Sequence, residues 1–128
     1  MNLLLIAIMN LSVGFLAGVL AIPLITKGVA RNGSYGFRFE TSFQSDEAWY
    51  AINAYGGKWI LFWSLVILGG GVVFLLAYFI DSIQISNGLR IAGVFAPCLL
   101  LISGIQASIW GDNRFPKHEA EEGESLKS

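Results

Sequence analysis

The chain reads as an all-α membrane protein: three transmembrane helices, with a short cytoplasmic amphipathic helix between the first and the second. Three observations predict this. The 128 residues are 55% hydrophobic and only 13% charged, and the mean hydropathy of +0.63 is higher than a soluble domain usually carries. Three apolar runs without a charge, Leu3–Ile25, Trp59–Ile80 and Ile91–Trp110, hold 23, 22 and 20 residues. At about 1.5 Å per residue each covers roughly 30 Å, the thickness of a bilayer's hydrocarbon core. The one long polar interruption among them is "RNGSYGFRFETSFQSDEAWYAINAYGG", residues 31–57.

The first run lacks the basic start of a secretory signal, and its apolar stretch is about twice as long as a typical signal core. It is therefore expected to be retained as a helix. Within it Gly14 and Gly18 form GxxxG in "GFLAG", a spacing that lets backbones approach closely, inside one chain or between two copies. The second run carries Ser64 and the triplet Gly69–Gly71. In the third, Pro97 has no N–H to give the Gly93 carbonyl, four residues earlier. Asn10 lies at that depth in the first span and is the expected replacement donor. Ser64 and Gln106 lie at a common depth near the other face and are expected to hydrogen-bond. Asn10, Gly14, Gly18, Ser64, Pro97 and Gln106 are thus the candidate helix-packing residues.

Composition and motifs exclude several function classes. No Asp, Glu, Lys, Arg or His falls in the middle of a span, which argues against an ion-coupled or proton-coupled carrier. There is no HExxH, P-loop or GxSxG, and Asp46 and Glu47 are adjacent, so they point apart on a helix. No enzyme activity, cofactor or metal is expected. The lone Cys98 is too few for a disulfide or a cysteine metal site and is expected to pack as a small apolar residue. A net charge of −1 gives no electrostatic reason to expect nucleic acid. The bilayer is the partner that the composition demands.

Basic residues set the orientation. Three spans place the 26–58 loop and the C-terminal tail on one side, with Lys27, Arg31, Arg38, Lys58, Arg114, Lys117 and Lys127; the other side has Arg90 alone. The positive-inside rule then predicts an outside N-terminus and a cytoplasmic C-terminus. Trp59 and Trp110 fall at the cytoplasmic interface and Tyr78 at the opposite one. Residues 1–110 form the membrane domain. The acidic, Ser- and Gly-containing segment 111–128, with the isolated His118, reads as a disordered tail.

In the 31–57 stretch Ser45 is a good N-cap, and Asp46 and Glu47 suit the positive end of a helix dipole. "DEAWYAINAY" puts Ala48, Trp49, Ala51, Ile52 and Tyr55 on one arc and Asp46, Tyr50 and Asn53 on another. Gly56-Gly57 is expected to end this short helix before the second span. The glycines of "NGSYGFR" predict a tight turn. Arg38 is the expected organising charge of an ordered cap, held by Glu40, Glu47 or carbonyls. Trp49 should pack at the headgroup boundary or on the bundle, and Asn53 should bond the turn at 32–36.

These residues resemble the signature of the SdpI family, bacterial membrane proteins named for immunity to a secreted sporulation-delaying toxin. The pattern falls on Asn32, Tyr35, Gly36, Phe37, Arg38, Ser45, Trp49, Asn53 and Gly57. Members usually follow the arginine with Thr-Pro; this chain has Phe39-Glu40, which predicts a less rigid turn there. The resemblance implies a multi-pass protein of the bacterial cytoplasmic membrane. It further implies immunity or signalling through binding of a peptide toxin or a cytoplasmic protein partner. The residues alone also suit a small structural or accessory subunit whose signature loop stabilises the fold. A homo-oligomer is a further candidate assembly.

Overall fold

Asn2 opens the first helix, its Oδ1 accepting the Leu4 N–H at 3.0 Å in the computed structural model. The structure describes residues 2–116. Helix α1 spans Leu3–Ile25. It closes where Lys27 takes a left-handed conformation, φ 59°, and Gly28 N–H returns to Pro23 O at 2.8 Å. That geometry usually recruits glycine.

Helix α2 spans Asp46–Phe79, 34 residues capped by Ser45, whose Oγ accepts the Ala48 N–H at 3.0 Å. There is no separate amphipathic helix. Gly56 and Gly57 lie inside α2 and do not end it. Two glycines weaken a helix by roughly 1 kcal/mol each, but here they let neighbours approach. A Cβ on Gly56 would fall within the Phe37 ring, and one on Gly57 would lie 3.1 Å from Leu24 Cβ. The helix is therefore about 51 Å long, some 20 Å more than the hydrocarbon core requires.

The third span is longer than expected and interrupted. Helix α3, Asn87–Phe95, leads through a 3₁₀ turn at Ala96–Leu99 into α4, Leu100–Arg114. Pro97 causes the interruption, since it can neither donate to the Gly93 carbonyl nor sit comfortably inside an α-helix. Asn10 Nδ2 donates to Gly93 O at 2.9 Å, and also to Ile6 O in its own helix at 2.8 Å. Because α4 reaches Arg114, residues 111–114 are helical and do not belong to a disordered tail. Most of that predicted tail, with Lys117, His118 and Lys127, lies outside the described residues.

Helix α2 is the central element, with α1 along one side and the third span along another. The GxxxG pair faces α2: a Cβ on Gly14 would come within 2.8 Å of Leu68 Cγ, and one on Gly18 within 3.2 Å of Ser64 Oγ. Its close approach is made inside the chain. Towards the end opposite the 26–45 loop, Ile6, Ala7 and Phe74 form a buried cluster, and Gly93 admits the Phe74 ring. Towards the loop end, α4 packs on α2 through Gly111 on Ile52 and the Trp110 ring stacked on Tyr55 at 4.5 Å. Ser64 does not reach Gln106. Its hydroxyl turns back to Leu61 O at 2.8 Å, as helical serines do when a backbone acceptor is near. Trp63 Nε1 donates to Gln106 instead, at 3.3 Å.

All three spans meet the length and hydropathy of membrane-crossing helices, and no strand occurs among the described residues. Large apolar side chains such as Phe15, Leu65 and Leu101 face outward, where lipid would cover them. Cys98 is exposed as well. It lies on this outer surface.

Candidate functional site: a cap over an apolar groove

The polar stretch between α1 and α2 folds into an ordered cap. Asn32 builds its first turn alone: Oδ1 accepts from the Ser34 and Tyr35 amides at 2.8 and 2.7 Å, and Nδ2 donates to Ala30 O and Tyr35 O. This is the local competition with helix and sheet at which Asn excels. Gly36 follows with φ 111°, a conformation closed to most L-residues. A Cβ there would also strike Asn53 Oδ1.

Asn53 lies on the buried arc of α2, not the polar arc. It follows Trp49 by four residues and so shares its face. It bonds residue 37 and not the turn at 32–36: Phe37 N–H donates to Oδ1 at 2.6 Å, while Nδ2 donates to Trp49 O at 2.9 Å. Trp49 is fully buried. Its indole Nε1 donates to Val29 O at 2.8 Å, and the Phe43 ring lies 5.4 Å away. The indole thus ties α2 to the exit of α1 and packs inside the protein against the cap.

Charge organises less of the cap than expected. Arg38 is exposed and donates from Nη1 to Gly33 O. The arginine that meets a carboxylate is Arg31, which donates to Phe43 O at 2.9 Å and pairs with Asp46 at 3.2 Å. Both side chains of that pair are well exposed, 41% and 73%, so it contributes about 1 kcal/mol at most. The turn after Arg38 closes without proline: Phe39 N–H donates to Ser42 Oγ at 2.8 Å and Ser42 Oγ donates to Phe39 O at 2.7 Å. Buried Thr41 then donates to Asp112 on α4, joining the cap to the third span.

Beneath the cap lies an apolar groove of about 370 Å³, formed where α1 and α4 diverge over α2. Tyr35, Gly36 and Phe37 roof it, and Leu20, Leu101 and Gly104 are among its walls. Tyr35 donates its hydroxyl to Leu20 O. Partial desolvation raises the phenol above its ordinary value of 10.0. The nine motif residues therefore divide. Asn32, Ser45, Trp49, Asn53 and Gly57 hold the cap together, whereas Tyr35, Gly36 and Phe37 present a surface, and Arg38 follows them as an exposed cation. Sequence reasoning missed Arg31, Ser42, Thr41 with Asp112, Gly56 and Gly104. Of these only Gly56 carried a signal, in the Gly-Gly pair that was read as a helix end. Among the described residues no group of three or more His, Cys, Asp and Glu could hold a metal.

The model of the SdpI/YfhL protein family matches residues 29–108, from the start of the cap into α4. No curated protein and no solved structure matches the chain.

Proposed function

The chain belongs to the SdpI/YfhL protein family, and from that premise we propose that it is an immunity-type membrane protein, non-enzymatic, that binds an amphipathic peptide in the groove beneath its cap. One observation carries the reading: Tyr35, Gly36 and Phe37, consecutive motif residues, roof an apolar groove of about 370 Å³ between α1 and α4. Such a groove suits the apolar face of a membrane-inserted peptide helix. Arg38, exposed and next in sequence to Phe37, would receive a carboxylate from the peptide's polar face. Seven basic residues on the cap side against one on the other support a cytoplasmic cap, an outside N-terminus and residence in the bacterial cytoplasmic membrane.

The test fills the groove. Gly104 lines the groove, and a Cβ there meets only Phe37 Cε1, at 3.9 Å, so Gly104→Leu adds its bulk at the groove wall. Wild type expressed in a sensitive bacterium should protect it from a secreted membrane-active peptide toxin, and Gly104→Leu should not. Equal protection by a folded Gly104→Leu would remove the groove from the mechanism.

A second reading rests on a different observation. Asn32, Trp49 and Asn53 direct all their side-chain hydrogen bonds to the cap or, in one case, to the α2 backbone beneath it. That supports an accessory subunit whose signature serves stability, and such a protein would give no protection in the same assay.

A further inference from the structure

At the end of the bundle opposite the cap, a second cavity of about 500 Å³ lies among the start of α1, the end of α2 and the 81–90 turn. Asn2, Tyr78, Asp81, Gln84 and Arg90 are among the residues that line it, so its character is polar where the groove under the cap is apolar. Arg90 is the lone basic residue at this end. Its Nε is buried with no hydrogen-bond partner, and among the described residues its guanidinium has no ion pair or hydrogen bond. A guanidinium carries five N–H donors and cannot shed its charge, so a desolvated, unanswered Nε calls for an acceptor from outside the chain.

Asp81 lines the same cavity, exposed and equally unpaired among the described residues. Two opposite charges thus share one cavity without neutralising each other. A ligand carrying only an anion would satisfy Arg90 and meet repulsion from Asp81. A ligand with an anion and a cation a few ångströms apart would satisfy both.

We propose that this cavity seats the phosphoethanolamine headgroup of a phospholipid. The Arg90 guanidinium donates to phosphate oxygens through its planar fork, and the primary ammonium donates to Asp81. A choline headgroup fits less well: its quaternary nitrogen has no N–H for Asp81, and Tyr78 alone is no aromatic cage. A glycerol headgroup lacks the cation. The lipid is favoured over a free headgroup because exposed Ile83 lines the cavity, and exposed Phe79 and Ile80 fall between its lining residues Tyr78 and Asp81 in sequence. With Tyr78 they mark the bilayer interface, where acyl chains continue the contact.

The full chain, purified in detergent and offered equal amounts of phosphatidylethanolamine, phosphatidylcholine and phosphatidylglycerol with identical acyl chains, tests this by native mass spectrometry. Wild type should retain the ethanolamine lipid about tenfold better than the other two, the discrimination expected of one charge-assisted contact. Arg90→Gln should lose retention of all three, Arg90→Lys should keep part of it, and Asp81→Asn should bring the ethanolamine lipid down to the choline level. Circular dichroism and protease resistance of the remote cap establish that each variant is folded. Equal retention of the three lipids by wild type, or an unchanged preference in folded Arg90→Gln or Asp81→Asn, overturns the proposal. So does soluble phosphoethanolamine displacing the lipid at equal concentration, which would make the ligand a free metabolite.

Discussion

Removing the indole N–H of Trp49 should loosen the cap far more than removing the charge of Arg38. Trp49 is fully buried, and its Nε1 holds Val29 O at 2.8 Å across the junction of α1 and the cap. Trp49→Phe deletes that donor, leaves the carbonyl without it, and leaves a gap beside Phe43. The lost bond costs about 1–1.5 kcal/mol and the smaller ring adds a comparable amount, giving roughly 2 kcal/mol. Arg38 is exposed and loses one surface hydrogen bond to Gly33 O, so Arg38→Ala should stay within about 0.5 kcal/mol. When opening is fast relative to cleavage, proteolysis follows the open population. At 1.36 kcal/mol per decade, Trp49→Phe should then raise the cleavage rate of the cap about 30-fold and Arg38→Ala about twofold. The assay is limited digestion with a nonspecific protease in nanodiscs, where both faces are accessible and loss of an arginine removes no preferred cut site. Cleavage of Arg38→Ala as fast as Trp49→Phe would refute the claim that a buried ring and neutral hydrogen bonds hold the cap.

Three more outcomes follow from the same geometry. Gly56→Ala should lower thermal stability by about 1–3 kcal/mol because its methyl meets the Phe37 ring, whereas Gly69→Ala, with nothing within 4 Å, should be neutral or stabilising by up to about 1 kcal/mol; melting temperatures of the two decide it. Asn10→Leu should destabilise by roughly 0.6–1.7 kcal/mol in the wild-type background. In a Pro97→Ala background, where residue 97 can donate to Gly93 O again, it should cost little, and an additive double-mutant cycle would disprove the replacement. The Tyr35 phenol, raised above 10.0 by desolvation, favours the protonated folded state. Its stabilisation is complete below pH 10 and lost as pH rises through the raised value, so cap protection should fall at the alkaline end in wild type and show no such limb in Tyr35→Phe.

The spans were legible because uncharged length is a one-dimensional property: a run long enough to cross hydrocarbon declares itself whatever it packs against. The substitution of Asn10 for the missing Pro97 donor was legible for a related reason, since depth in a membrane can be counted from the ends of each run. Depth does not give rotation about the helix axis, and that is where the reading of Ser64 failed. Gln106 lies at the right height, but a serine hydroxyl bonds its own helix when a carbonyl is three residues away, and Trp63 held the donor that reached Gln106. Gly56-Gly57 misled by local propensity. A glycine pair between a polar and an apolar segment looks like a terminus, and only the Phe37 ring and α1, brought in by the cap, turn it into a packing notch. Arg38 is held by a carbonyl, one of its expected partners, but the ion pair falls to Arg31, for a similar three-dimensional reason. Four cations flank the cap, at 27, 31, 38 and 58, and sequence ranks them equally. Arg31 meets Asp46 because Trp49 and Phe43 fold residue 31 back over the start of α2, twelve positions from the carbonyl it bonds. The buried ring sets the path of the chain, and the ion pair forms where that path leaves it. An exposed pair placed in this way is a consequence of the cap's fold and not its cause.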